Sequence, residues 1–351
     1  MNLAFDEVLR ADADTRSGLF TTTAQRLGTT PQNAEKDFWV CWTLDALFNG
    51  RDGPRLLFKG GTSLSKSFGL IKRFSEDIDV TVFRDDLGRA WSVEELSQLS
   101  GKKREAALDA IKAACEDYIN GALLEQLAQI AADAASRTGM DAGQLRIEPN
   151  PADRQSLLVR YPTATSADRY IDKVVRIESG AKSALDPNTI QPIAPYANDD
   201  LPGLDLTVPN VTVVDAERTF WDKVVILHGL RRWYEIRGEL RGGGHRISRH
   251  YYDIHELMAS DSGQGAIANS ELGADCVLHA RMFFNRPDYD LASAAPPTFA
   301  LVPEGGMYDD LRRDYSAMTG MIFGTPPAFE AVVEAVASLE AELNSREGAL
   351  S

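Results

Sequence analysis

Apolar and polar positions change period several times along the chain, and the sharpest change falls within residues 58–83. Leu56, Leu57 and Phe58 form a short apolar run that stops at Gly60-Gly61, a pair that punctuates structure rather than propagating it. Leu64, Phe68 and Ile71 then follow at i, i+4 and i+7, the helical period. Thr62 or Ser63 is expected to cap that helix, leaving its free N–H groups facing the turn, where an anion is favoured. The next segment alternates: Asp77, Asp79 and Thr81 fall on one side of a strand, Ile78, Val80 and Val82 on the other. The pattern predicts strand, turn, short helix, and a strand presenting two carboxylates side by side.

The flanking sequence is read in the same way. Residues 1–30 are weakly helical in pattern. A helix over 32–48 is started by Thr30-Pro31 and closed by Asn49-Gly50. Residues 93–137, rich in Ala, Leu and Glu, predict two helices inserted beside a sheet. SLLVRY at 156–161 and YIDKVVRIE at 170–178 predict a hairpin. Five prolines within 183–210 suggest an irregular crossing between lobes. Beyond it, 216–230 and 248–258 are helical, with Gly242-Gly243-Gly244 as a flexible loop between them. Thr325-Pro326-Pro327 is expected to start a last amphipathic helix, with Phe329, Val332, Val333, Val336, Leu339 and Leu343 on its apolar face.

Composition narrows the class. A chain of 351 residues suggests two domains, and 44% apolar with 25% charged residues suits a globular protein. The net charge of −15 argues against holding nucleic acid through bulk charge, so any such contact needs a local basic patch. Cys41, Cys115 and Cys276 lack metal-ligand spacing and are too sparse for a disulfide framework. No apolar run approaches the roughly 18 residues a bilayer span needs, and no signal peptide is evident. A cytoplasmic protein without a membrane partner is the expectation.

With 52 acidic residues in 351, about eight acid-x-acid pairs arise by chance, so Asp77-x-Asp79 gains weight from its context. Paired carboxylates on a rigid strand, after a turn fit for phosphates, are what metal-assisted phosphoryl or nucleotidyl transfer requires. GGTSLSKS is not a P-loop, because Ser65 stands where that motif needs Gly, and Lys66 is expected on a solvated helix face. Glu178 is the candidate third carboxylate, at a strand end before Ser179-Gly180, with Asp172 as its rival. On a helical wheel Lys223 falls between Leu227 and Leu230 inside an apolar surface, where it must snorkel, pair, or meet a phosphate. Asp253 is either its partner or a nucleotide contact. Arg231, Arg232, Arg237, Arg241, Arg246 and Arg249, with His228, His245 and His250, form the basic concentration of an acidic chain. Arg231, Arg232, Arg246 and Arg249 are the candidate RNA or phosphate contacts. The same patch is equally suited to docking on the protein's own acids.

These blocks give the chain a family resemblance. LLFKGGTSLSKSFGLIKRFSEDIDV at 56–80, KVVRIESGAKS at 173–183, ERTFWDKVVILH at 217–228 and RHYYDIHEL at 249–257 resemble the AbiEii/AbiGii toxin family, within the DNA-polymerase-β-type nucleotidyltransferase superfamily. The resemblance implies that Asp77 and Asp79 hold magnesium or manganese and that Gly60, Gly61, Thr62, Ser63 and Lys223 receive a nucleoside triphosphate. It also implies that Lys223 and Asp253 complete the active site; the third carboxylate has no tight motif. Lys59 stands where the superfamily usually has an apolar residue.

The fold expected is α+β and bilobed: a mixed-sheet nucleotidyltransferase core over 1–210, with its helical insertion, and a helical domain over 211–351 completing the cleft. The function expected is that of a toxin in a bacterial toxin–antitoxin, abortive-infection or phage-defence system, encoded beside its antitoxin. It would transfer a nucleotide from a triphosphate to RNA, with the acceptor end of tRNA favoured. The alternatives are a kinase-like phosphotransferase using the γ-phosphate and a non-catalytic nucleotide-binding module acting by protein contacts.

Overall fold

The computed structural model describes residues 1–141, 143–165 and 173–346. In chain order its elements begin with α1 (Ala4–Arg10), α2 (Ala13–Leu27), α3 (Pro31–Asn49), β1 (Leu56–Lys59), α4 (Gly60–Lys66), β2 (Asp77–Val82) and α5 (Val93–Ser97). Next come α6 (Gly101–Tyr118), α7 (Leu124–Thr138), β3 (Arg146–Pro149), β4 (Ser156–Arg160), β5 (Val174–Gly180), β6 (Asn188–Ile193) and β7 (Val208–Val214). The rest is helical: α8 (Ala216–Arg237), α9 (Ser248–Met258), α10 (Asp261–Ala268), α11 (Ser270–Phe283), α12 (Gly306–Met318) and α13 (Phe329–Ser345). This is an α+β chain in which, among the described residues, the strands all precede residue 215.

Two compact units emerge. The first comprises Met1–Ser67, Phe74–Trp91 and Gly101–Val214; the second comprises Phe68–Arg73, Ser92–Ser100 and the chain from Asp215. The boundary expected at 210/211 would cut β7, whose Val211, Val213 and Val214 are buried in the first unit. Two short segments that the sequence places in the core, 68–73 and 92–100, group instead with the second unit.

In the first unit the described strands form one mixed sheet in the order β3-β4-β5-β2-β1-β7-β6. β2 runs antiparallel to β1 and parallel to β5, which itself pairs antiparallel with β4. The prolines of 183–210 do not prevent strands. β6 is an edge strand, and Pro192 sits at a break in its register with β7, where a missing N–H costs no ladder bond.

α3 packs with no solvated face. Thr30 accepts the Asn33 N–H as its cap, and Phe38, Trp39, Trp42 and Leu44 are fully buried. Its charged residues are buried as well, each against a partner: Lys36 pairs with Glu76 at 2.7 Å, Asp37 with Lys66 at 2.7 Å, and Glu35 accepts the Ala164 and Thr165 N–H groups. Lys66 is therefore not solvated. Its ammonium is sandwiched between the Asp37 carboxylate and the Tyr196 ring, 3.5 Å from the ring centroid.

α4 is shorter than the periodicity suggests. It ends at Lys66, and Phe68 and Ile71 belong to the segment that joins the second unit, where Arg73 forms an isolated bridge with Ile322. Thr62 and Ser63 lie inside α4 rather than capping it; the N-cap position is Lys59, with no side-chain cap. The last helix begins at Phe329, just beyond Thr325-Pro326-Pro327; Phe329, Val332, Val336, Leu339 and Leu343 are buried as expected, whereas Val333 is only half-buried.

Candidate active site

In the first unit the pleat of β2 separates apolar from acidic side chains. Ile78, Val80 and Val82 are fully buried, whereas Asp77 and Asp79 are only half-buried on the other face. Register then adds neighbours to that face: Lys59, Asp79, Glu178 and Ser156 are cross-strand partners in succession, and Asp77 is partnered by Arg176. Glu178, chosen from sequence as a strand-end carboxylate, thus stands beside Asp79. Its rival Asp172 lies outside the described residues.

The local turn fits this arrangement. Gly60 has φ +82°, and a Cβ there would collide with the Asp79 carboxylate, so only glycine lets the turn lie against that side chain. Thr62 donates to the Asp77 carbonyl at 2.5 Å and accepts from the Ser75 hydroxyl at 2.7 Å, fastening α4 to the backbone that carries the carboxylates. Ser63 donates to the Gly60 carbonyl at 2.9 Å. Both hydroxyls are buried, so both have a structural engagement the sequence did not disclose.

Electrostatically the face is short of positive charge. Burial, and then the neighbouring Glu76, push the Asp77 carboxyl up; burial, and then Asp79 and Asp77, push Glu178 up. Arg176, 3.4 Å from Glu178, pulls both Asp77 and Glu178 back down without outweighing burial and their acidic neighbours, and Lys59 stands 4.0 Å from Asp79. Such hard oxygen donors fit a divalent cation of magnesium type, which needs one or two carboxylates beside water and phosphate oxygens. Asp77 and Asp79 meet that need. Among the described residues no three His, Cys, Asp or Glu side chains are already gathered for an ion, and Glu178 stands beside the pair as the cross-strand neighbour of Asp79.

The second unit holds a different constellation. Lys223 on α8 is buried and meets Asp253 of α9 at 2.7 Å, which resolves the two roles open to that aspartate in favour of pairing. Arg73 joins them with a bidentate grip on Asp253, Nε at 2.7 Å and an Nη at 2.9 Å. Although burial opposes it, these two cations hold the Asp253 carboxyl well below its ordinary range. Burial pulls Lys223 down, Asp253 counters, and Arg73 and Arg249 add to the pull. No carboxylate pairs with Arg249 among the described residues. Two cations thus meet one carboxylate, and Arg249 is near enough to act on Lys223, an excess of positive charge suited to an anion. Arg73 was invisible to sequence reasoning, because its partner lies 180 residues on.

The basic concentration that begins in the last turns of α8 is largely taken up by acids. Arg231 pairs with Glu235 and Glu304, Arg232 with Glu235 and Asp290, and Arg237 with Asp288. The Arg246 N–H groups with Ser248 N–H on the Asp314 carboxylate. His228 accepts the Ala300 N–H and faces the Asp290 carbonyl, and burial pushes it down; His250 lies lower still, through burial and then Lys223 and Arg249. Of the four arginines singled out, Arg231 and Arg232 are already committed to the protein's own acids, whereas Arg249 stays with the Lys223 cluster. The charge of its neighbours, which a local reading cannot see, decides this.

A mixed sheet presenting paired carboxylates at a glycine turn is the equipment of an enzyme that handles phosphates. The chain belongs to the family of nucleotidyl transferase AbiEii toxins of type IV toxin–antitoxin systems, whose family model matches residues 42–335. It is a nucleotidyltransferase. Among solved structures, it is similar to the nucleotidyltransferase toxin MenT4 of Mycobacterium tuberculosis, with 17% identity, a TM-score of 0.48, and 95% of this chain and 90% of that chain covered. No curated protein matches significantly. No helix among the described residues is long and apolar enough to cross a membrane.

Proposed function

We propose that the protein transfers a nucleoside monophosphate from a triphosphate to RNA, with the acceptor end of tRNA as the target, and that this activity is the toxicity its antitoxin restrains. The observation that carries the reading is the crowded carboxylate face of Asp77, Asp79 and Glu178 lying against the Gly60 turn. On this reading Asp77 and Asp79 hold a magnesium-type ion, which when bound supplies charge neutralisation and an activated hydroxyl. The RNA hydroxyl attacks the α-phosphorus; the new P–O bond forms as the bond to the β-phosphate breaks, and pyrophosphate leaves. Gly60 and Gly61 give the backbone close access to phosphate. Lys223, whose charge Asp253 supports against burial, and Arg249 near it are the second unit's candidates for meeting phosphate. Thr62 and Ser63 serve by fixing the turn, since their hydroxyls are already spent.

The test is incubation of purified protein with bulk tRNA and each triphosphate, labelled at the α or the γ position. Label entering RNA from the α position alone is expected, and it should vanish in Asp79→Asn while the far-UV circular dichroism is unchanged. Label from the γ position would replace this reading with a kinase. An Asp79→Asn protein that remains fully active would remove the carboxylate pair from the chemistry.

A further inference from the structure

Arginines meet the family's carboxylates in two distinct ways in this chain. Arg73 grips Asp253 through two short hydrogen bonds in a fully buried setting, and that pair is locked. Arg176 is held much more loosely. It lies on the acidic face of β5, in register with Asp77 and two residues from Glu178, with a side chain 43% exposed. Its one hydrogen bond, to Glu178, is 3.4 Å long, and its Nε has no hydrogen-bond partner among the described residues. A bond of that length at a half-exposed site contributes little. Even so, Arg176 is raised by Asp77 and Glu178 against the pull of burial, so both carboxylates feel its charge.

A cation that faces the metal-holding carboxylates, is weakly bonded, and has a free route to water is not built as a permanent strut. We propose that Arg176 is the resident counter-ion of the carboxylate face, a positioning residue that a divalent cation displaces on entry. The inference rests on the assignment of Asp77 and Asp79 to metal. In the metal-free protein the guanidinium offsets part of the repulsion among Asp77, Asp79 and Glu178. When an ion arrives, the same charge becomes a competitor, and the side chain swings toward solvent. Lys59, on the β1 side at 4.0 Å from Asp79, is the lesser partner because its distance is at the limit of an ion pair.

The consequence is a metal affinity set lower than the carboxylates alone would give. Removing the competitor should tighten binding, a direction that damage to the fold cannot produce. The experiment titrates Mn²⁺ into the nucleotide-free full chain and follows bound ion by water-proton relaxation, for wild type, Arg176→Gln, Arg176→Lys and Asp77→Asn. Arg176→Gln is expected to bind about two- to fivefold more tightly, the range that a partly exposed ion pair supports. Arg176→Lys should stay near wild type, and Asp77→Asn should lose the site. If Asp77→Asn abolishes binding while Arg176→Gln is unchanged or weaker, the counter-ion role is wrong and the metal assignment stands. If Asp77→Asn leaves binding intact, or wild type binds no Mn²⁺, the metal assignment fails and this inference fails with it.

Discussion

Asp253 is the residue on which most depends at the smallest scale. One fully buried carboxylate balances Arg73 and Lys223, so replacing it with Asn leaves two buried cations facing a neutral amide. Breaking a buried pair in this way costs about 3–5 kcal/mol, and urea denaturation of Asp253→Asn should show a loss of that size. Because the folded pKa of Asp253 lies below its unfolded value, its contribution is present above roughly pH 4 and is lost only as pH falls through the folded value. Glu178 behaves oppositely. Its carboxyl is raised by burial, Asp79 and Asp77, so the folded chain keeps a proton that the unfolded chain has already released above about pH 4.3. Stability from this group therefore falls as pH rises through that window. Glu178→Gln should remove the decline and gain up to about 1 kcal/mol at neutral pH in metal-free buffer, a modest figure because solvent screens a half-exposed carboxylate. Denaturation curves at pH 4 and pH 7 measure it; a variant that is less stable at pH 7 would contradict the charge crowding. Lys223 was legible in the sequence because a lysine inside an apolar helical surface has few options. Arg73 was not, since nothing in IKRFSED distinguishes a buried clamp from a solvated cation.

Among the elements, the turn between β1 and α4 is the most constrained. Gly60 combines a left-handed backbone with direct contact against Asp79, so Gly60→Ala carries two penalties: about 1–2 kcal/mol of backbone strain and a displaced carboxylate. The expected result is a melting temperature lowered by a few degrees beside an activity loss far larger than the stability change, read by thermal circular dichroism and α-label incorporation. Wild-type-like activity would mean that the close approach is dispensable. Elements with their own punctuation were readable: α3 by Thr30-Pro31, α9 by its spacing, β2 by its alternation. Elements decided by long-range packing were not. α4 stops early because residues 68–73 are claimed by the second unit, and β6 and β7 form despite prolines because one lies at a sheet edge. α10 and α11 had no clear counterpart in the periodicity, where Gly and Ala dilute the apolar stripe, and α12 went unassigned although Met307, Leu311, Tyr315 and Met318 recur at helical spacing. The carboxylate row shows the same division. Asp77 and Asp79 are visible within one strand, whereas their neighbours Lys59, Arg176 and Glu178 are set by register between strands.

For the whole molecule, charge sets how the RNA substrate proposed above would be met. The chain carries −15 overall, and the arginines that stood out in the sequence are mostly engaged by Glu235, Glu304, Asp288 and Asp290. A protein that grips RNA through six to ten phosphate contacts loses roughly a thousandfold or more in affinity between 50 and 200 mM salt. The exposed cations without an ion pair among the described residues, such as Lys72, Arg89, Lys102, Lys103, Arg281 and Arg286, are scattered along the chain rather than gathered into one run, and the long-range field of the acidic chain repels a polyanion, a repulsion that added salt screens. The two effects oppose each other, so association with tRNA should weaken by less than about tenfold over that salt range. Arg231→Ala and Arg232→Ala, which free acids rather than remove contacts, should leave labelling within about twofold, whereas Lys223→Ala abolishes it. Measuring α-label incorporation at subsaturating tRNA across the salt series tests both statements together. A thousandfold decline with salt, or a severe loss in the Arg231 and Arg232 variants, would mean that the acids paired with these arginines release them to RNA, and that the basic cluster is a binding surface after all.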